Sequence, residues 1–158
     1  MARAVEPSTL RGAVAALAII AGAGCGGDPP APPARRFSGT FTLREVNGAP
    51  PPVQVSATVR NDRQLVGGTI TFTSRDRLTE ERVFRWVSRI TGEPAPPLAI
   101  SSDCAYEERG DTLIILHTIG EVTRADTGTS VAPGELTVTV RRLELGNNGT
   151  FVLRYAAR

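Results

Sequence analysis

From Phe37 to the last residue, apolar and polar residues alternate in short runs, and each run is broken by a cluster of Gly, Pro, Asn, Asp or Ser. A period of two sends successive side chains to opposite faces of an extended chain, so each run has one face to bury and needs neighbouring strands to cover it. No stretch of any length in this region carries the 3.6-residue period of an amphipathic helix. The chain is therefore expected to be all-β, and with only 5% aromatic residues its core must rest mainly on Val, Leu and Ile.

The first run is Phe37 to Val46, with Phe37, Gly39, Phe41 and Leu43 on one face. Asn47-Gly48 ends it, and Pro50-Pro51-Pro52 bars ladder pairing until Val53. Val53, Val55, Ala57 and Val59 form the apolar face of a second strand. Asn61-Asp62-Arg63 reads as a turn, and Val66, Gly68, Ile70 and Phe72 face one way in a third. After a turn at Ser74 to Arg77, a fourth strand from about Leu78 to Ile90 sets Phe84, Trp86 and Ile90 against Glu81, Arg85 and Arg89, and Gly92 to Pro97 is a loop. Leu98 to Glu108 and Thr112 to Ile119 are the fifth and sixth strands, joined at Arg109-Gly110-Asp111. The sixth is apolar on both faces around Ile114, Ile115 and Leu116 and belongs in a covered position. A polar stretch, Thr123 to Gly134, follows. The seventh strand shifts its apolar set from Leu136, Val138 and Val140 to Leu143 and Leu145, which implies a bulge at Arg141-Arg142. Gly146-Asn147-Asn148-Gly149 is a hairpin turn, and Thr150 to Ala156 closes the chain with Phe151, Leu153 and Tyr155 on one face. Eight strands joined mainly by short turns predict a single antiparallel up-and-down barrel, whose closure removes exposed edges.

The first 36 residues read differently. Arg3 and Arg11 precede an uncharged apolar run, Gly12 to Gly24, too short to span a bilayer but suited to a signal peptide. Gly22-Ala23-Gly24-Cys25 resembles a bacterial lipobox, in which small residues precede the cysteine that is acylated and becomes the mature N-terminus. Ala21-Gly22-Ala23 also satisfies the A-x-A rule of an ordinary signal peptidase. Gly26 to Ala34 is a Gly- then Pro-rich spacer of the semi-rigid kind that holds a domain off a membrane. The expected organisation is signal peptide 1–24, lipidated Cys25 with its tether to residue 36, and a barrel domain 37–158. The expected location is the bacterial cell envelope, anchored by an N-terminal lipid, with a secreted or periplasmic soluble form as the alternative. Lipidation would occupy the sulfur of Cys25 and leave Cys104 alone in an oxidising compartment, whereas cleavage before Gly24 would permit a Cys25–Cys104 disulfide.

The run Ser38 to Gly48, followed by prolines, resembles the first strand of lipocalin-like domains found in bacterial lipoproteins. Gly67-Gly68-Thr69-Ile70-Thr71-Phe72, Tyr106 to Leu113 and Gly149 to Tyr155 are similar to later pieces of those domains. The resemblance spans nearly all of Phe37 to Arg158. It implies a barrel whose interior binds a small apolar ligand. The leading expectation is a membrane-anchored barrel that binds a small apolar or amphiphilic ligand, with Phe41, Phe72, Phe84, Trp86, Tyr106 and Phe151 as interior residues, the same residues that are expected to form the core. If these side chains fill the interior themselves, the alternative is a structural or protein-interaction module of the envelope.

Other chemistry is sparse. All 18 basic residues are arginine against 16 acidic ones, a net charge of +2. So complete an Arg bias reflects a GC-rich codon pool, and the near balance argues against a nucleic-acid partner. His117 is the single histidine, which excludes a His-rich metal centre, and it reads as a strand histidine with a satisfied side chain. Cys104 reads as a small buried hydrophobe. Glu80-Glu81 and Glu107-Glu108 are adjacent pairs, and neighbours on a strand point to opposite faces, so neither pair is a glycosidase dyad. Arg75, Arg77, Arg82, Arg85 and Arg89, interspersed with Asp76, Glu80 and Glu81, read as a solvated mixed-charge face. No hydrolase elbow, phosphate loop or dinucleotide fingerprint occurs. The expectation is a non-enzymatic protein without metal or cofactor.

Overall fold

The computed structural model describes residues 37–141 and 149–158. Among them all regular structure is β: β1 Gly39–Val46, β2 Val53–Ala57, β3 Asn61–Phe72, β4 Arg77–Ser88, β5 Leu98–Arg109, β6 Thr112–Ile119, β7 Val122–Ala132, β8 Glu135–Val140 and β9 Phe151–Ala157. Each strand from β3 to β9 pairs antiparallel with the next, β9 pairs with β1, and β1 returns to β3. This closes an eight-strand up-and-down barrel, as the alternation predicts. β2 is the ninth strand and stands outside the ring count, because it and β1 share one edge of β3. β1 takes Thr69 to Phe72, and β2 takes Asp62 to Leu65.

The turns lie where the punctuation residues are. Asn47 and Gly48 both have positive φ, 52° and 82°, which ends β1 abruptly. Gly110, φ 61°, makes the β5–β6 turn. Two expectations need correction. Thr123 to Gly134 is mostly strand: β7 pairs with β6 over eight residues, from Thr112↔Thr129 to Ile119↔Val122. Its side chains are polar or small on both faces, so periodicity could not reveal it. Asn61-Asp62-Arg63 opens β3 instead of forming a turn. A register shift between Leu65 and Gly67 turns Leu65 inward, and Val59 lies 93% exposed in the turn before it. The bulge read at Arg141-Arg142, the turn at Gly146-Asn147-Asn148-Gly149 and the whole N-terminal segment with Cys25 involve residues outside those described.

The hairpins define two ends. The β3–β4, β5–β6 and β7–β8 turns lie at one end, and the β2–β3, β4–β5 and β6–β7 connections at the other. At the first end Phe37, Phe41 and Tyr106 surround Phe72, with ring centroids 5.9, 5.8 and 5.1 Å from it. These rings form a plug in edge-to-face and offset contact. Leu43, Val46, Leu65, Ile70, Leu78, Leu113, Ile115, Leu136, Val138, Val140, Leu153 and Tyr155 line the rest of a continuous core.

Candidate functional site

On β4, residues of even number point inward: Leu78, Glu80, Arg82 and Phe84 are all buried. A carboxylate and a guanidinium therefore enter the barrel between two apolar residues. Glu81, as expected for the next residue, is on the other face and only half-buried. Arg82 Nε donates to Glu80 Oε1 at 2.9 Å and Nη2 to the same oxygen at 2.7 Å. The reading of Arg82 as part of a solvated face is thus corrected. Strand parity, not composition, decides where its charge goes.

β6 and β7 complete the cluster. His117 follows Leu113 and Ile115 on the inward face of β6, and Asp126, 1% exposed, is an inward residue of β7. His117 Nε2 lies 3.0 Å from Asp126 Oδ2 and 3.9 Å from Glu80 Oε2. Asp126 Oδ2 also lies 4.0 Å from Arg82 and 3.7 Å from the half-buried Arg124. These are contacts of charge and distance, since neither Asp126 oxygen receives a hydrogen bond of good alignment. On the other side of the ring, His117 Nδ1 is 3.2 Å from Cys104 Sγ. Tyr155, fully buried on β9, points its hydroxyl toward Glu80 and Arg82, again without an aligned partner.

The electrostatics follow from the pairing. Burial alone would lower the His117 pKa. The Asp126 and Cys104 contacts and the field of Glu80 outweigh it and raise the imidazole to about 9. Burial opposes the charge on Arg82 as well, and Glu80 with Asp126 more than restores it. The Tyr155 phenol is pushed up by burial and then by Glu80. The barrel interior thus sets the Glu80 and Asp126 side chains against an imidazolium and a guanidinium, an arrangement of opposed partners of the kind that a low-dielectric interior tolerates.

The wall beside this cluster is split. β5 pairs with β6 only from Ala105↔Leu116 to Arg109↔Thr112, although both strands continue. From Leu98 to Cys104, β5 pairs with β4 alone, and Leu98 to Asp103 are exposed. The fork opens at Cys104 and His117, toward the end of the barrel where Arg63 stacks over Phe84 and Trp86, 4.3 and 5.1 Å from their ring centroids.

The six aromatic residues expected inside fall into separate groups. Phe41, Phe72 and Tyr106 belong to the plug, and Tyr106 is fixed there by its hydroxyl donating to the Ser74 carbonyl at 3.1 Å. Phe84 is buried near the fork, Trp86 is 38% exposed at the rim, and Phe151 is core. A depression of about 380 Å³, lined by Phe37, Phe41 and the Ser130 to Glu135 turn, lies open outside the plug. Ile90, expected on the apolar face of the fourth strand, is 79% exposed beyond its end. Sequence reading did not assemble Glu80, Arg82, His117 and Asp126. The shared parity of Glu80 and Arg82 with Leu78 and Phe84 was the available signal; Asp126 offered none, because its strand was itself invisible. Among the described residues no group of three or more His, Cys, Asp and Glu is placed to hold a metal ion.

The class defined by this geometry is an eight-strand antiparallel barrel with a charged interior beside a split seam. No protein-family profile matches the chain, and no curated protein matches it. Among solved structures, a point mutant of the fluorescent protein UnaG is similar over 78% of this chain and 96% of that one, at 14% identity and a TM-score of 0.35.

Proposed function

We propose that the chain is an exported, lipid-anchored barrel of the bacterial cell envelope that binds a small amphiphilic ligand and performs no chemistry on it. Export and attachment are supported by the charged start, the short apolar run, Gly24-Cys25 and the Pro-rich spacer. The observation that carries the ligand reading is the amphiphilic interior. Asp126 and Tyr155 keep hydrogen-bonding capacity unused among the apolar and charged side chains of the interior, and the β5–β6 ladder stops beside His117, which contacts Asp126. The ligand this reading calls for has a polar, hydrogen-bonding head and an apolar body. The head meets Asp126 and Tyr155, and the body lies toward Phe84 and Trp86. The packed plug excludes Phe41, Phe72 and Tyr106 from that contact.

The test is native mass spectrometry of the chain recovered from membranes, with Trp86, the sole tryptophan, as a fluorescence reporter in titrations with fatty acids and long-chain amines. A mass beginning at diacylglyceryl-modified Cys25 together with a released small molecule supports both parts. A chain beginning at Gly24 refutes the anchor, and no bound molecule with no fluorescence response refutes the ligand. The exposed edge of β5, with Leu98 59% and Ile100 38% exposed, favours a second reading, a protein-interaction module. Crosslinking through that edge to an envelope protein, without any small ligand, would establish it.

A further inference from the structure

Three groups stand in line across the barrel wall. Cys104 Sγ is 3.2 Å from His117 Nδ1, and His117 Nε2 is 3.0 Å from Asp126 Oδ2. A sulfur, an imidazole and a carboxylate in this order make up a nucleophile, the group that handles its proton, and the group that orients the imidazole. The arrangement does not depend on the ligand reading. It is built by three strands at the point where the β5–β6 ladder stops, so the sulfur–imidazole contact stands next to the last backbone rung, Ala105↔Leu116. The alternative acceptor for the thiol proton, the Ser102 carbonyl, is 3.8 Å away and holds it weakly.

We propose that Cys104 is a nucleophilic modification site for small hydroperoxides, with His117 as its proton carrier and Asp126 as a positioning residue. The imidazolium presents Nδ1–H to the sulfur, and Asp126 Oδ2, 3.0 Å from Nε2, stands on its other side as the countercharge. Sulfur, as thiolate, attacks the terminal oxygen of the hydroperoxide. The S–O bond forms as the O–O bond breaks, and the departing alkoxide or hydroxide takes the Nδ1 proton and leaves as alcohol or water. Sulfur is oxidised by two electrons to the sulfenic acid and the peroxide is reduced by two. Cys104 is 1% exposed, which disfavours bulky electrophiles and leaves a small hydroperoxide as the reagent. The charged and titratable groups facing the pair are Glu80 and Arg82 from β4, Asp126 and Arg124 from β7, and Tyr155 from β9. The two carboxylates keep the imidazole protonated.

The experiment exposes the full chain to hydrogen peroxide between pH 6 and 8, traps sulfenic acid with dimedone and reads Cys104 by site-resolved mass spectrometry. The same chain unfolded in guanidinium is the reference. With His117 Nδ1 3.2 Å from the sulfur and placed to give its proton to the departing oxygen, Cys104 in the folded chain is expected to react about tenfold or more faster than in the unfolded one at pH 6. His117→Gln removes the acceleration. Asp126→Asn reduces it and changes the pH profile, and Asp126→Glu restores part of it. Oxidation in the folded chain no faster than in the unfolded one at pH 6 overturns the proposal. So does a folded His117→Gln chain that reacts like the parent. If that variant does not fold, the parent decides alone: an acceleration that stays undiminished when the series is carried to pH 10, past the imidazole's titration at about 9, refutes the role of the imidazolium.

Discussion

Loss of the proton on His117 should weaken the fold in the alkaline range, and the size of the effect follows from its surroundings. In the unfolded chain the imidazole titrates near 6.5; in the barrel Asp126, Cys104 and Glu80 hold it at about 9 against the cost of burial. A folded-state value above the unfolded one means that the native state binds the proton more tightly. The resulting stability is complete below pH 6.5, declines as pH rises from 6.5 to 9, and is absent above that. With 1.36 kcal/mol for each pH unit of difference, the contribution is about 3 kcal/mol. Urea unfolding at pH 6 and pH 9.5 should therefore show the parent losing about that amount more than His117→Gln, in which the other titrating groups are the same. Because His117 is the only histidine, one imidazole resonance reports its titration directly in an NMR spectrum. A midpoint below 6.5, or an equal alkaline loss in parent and variant, would refute the electrostatic account of the cluster.

Three further perturbations probe the same interior. Arg82→Met leaves Glu80 without its guanidinium and should cost about 3–5 kcal/mol in urea unfolding, whereas the double variant Glu80→Leu, Arg82→Met should lose less than the single one; a double variant worse than the single would contradict the pairing. Tyr155→Phe removes a hydroxyl that has no aligned hydrogen bond; stability should hold within about 1 kcal/mol while ligand affinity falls, and a loss of several kcal/mol would reveal a strong partner for that oxygen. Gly68→Ala would set a Cβ 2.7 Å from the Glu81 carbonyl oxygen across the β3–β4 ladder, so it should lower stability by about 2 kcal/mol or more, measured by thermal unfolding, and an unchanged midpoint would refute so close an approach.

What the sequence disclosed and what it hid have the same physical origin. Period-two alternation reports burial, so the strands bearing Phe41 and Leu43, Leu113 and Ile115, or Leu153 and Tyr155 could be placed, and with them a closed antiparallel barrel. β7 could not, because its inward residues are Asp126 and Gly128, and a strand that turns a carboxylate and a glycine to the core has no hydrophobic signature. The site was lost with it. Glu80 and His117 gain their meaning only once β7 stands beside β6 and Asp126 arrives opposite the imidazole. Gly128 shows the constraint from the other side: a Cβ there would lie 3.2 Å from Leu136 and 3.3 Å from Leu113, so the strand runs close to its neighbours' side chains at that level. A small residue at that position and a charged one two residues earlier let the same strand pack tightly at one level and carry charge at the next. The buried charges cost stability unless each finds a partner, and four of them, on three different strands, find their partners only in the closed barrel. The feature that made the interior hardest to read is therefore also the one that ties its charged cluster to a single register of β4, β6 and β7.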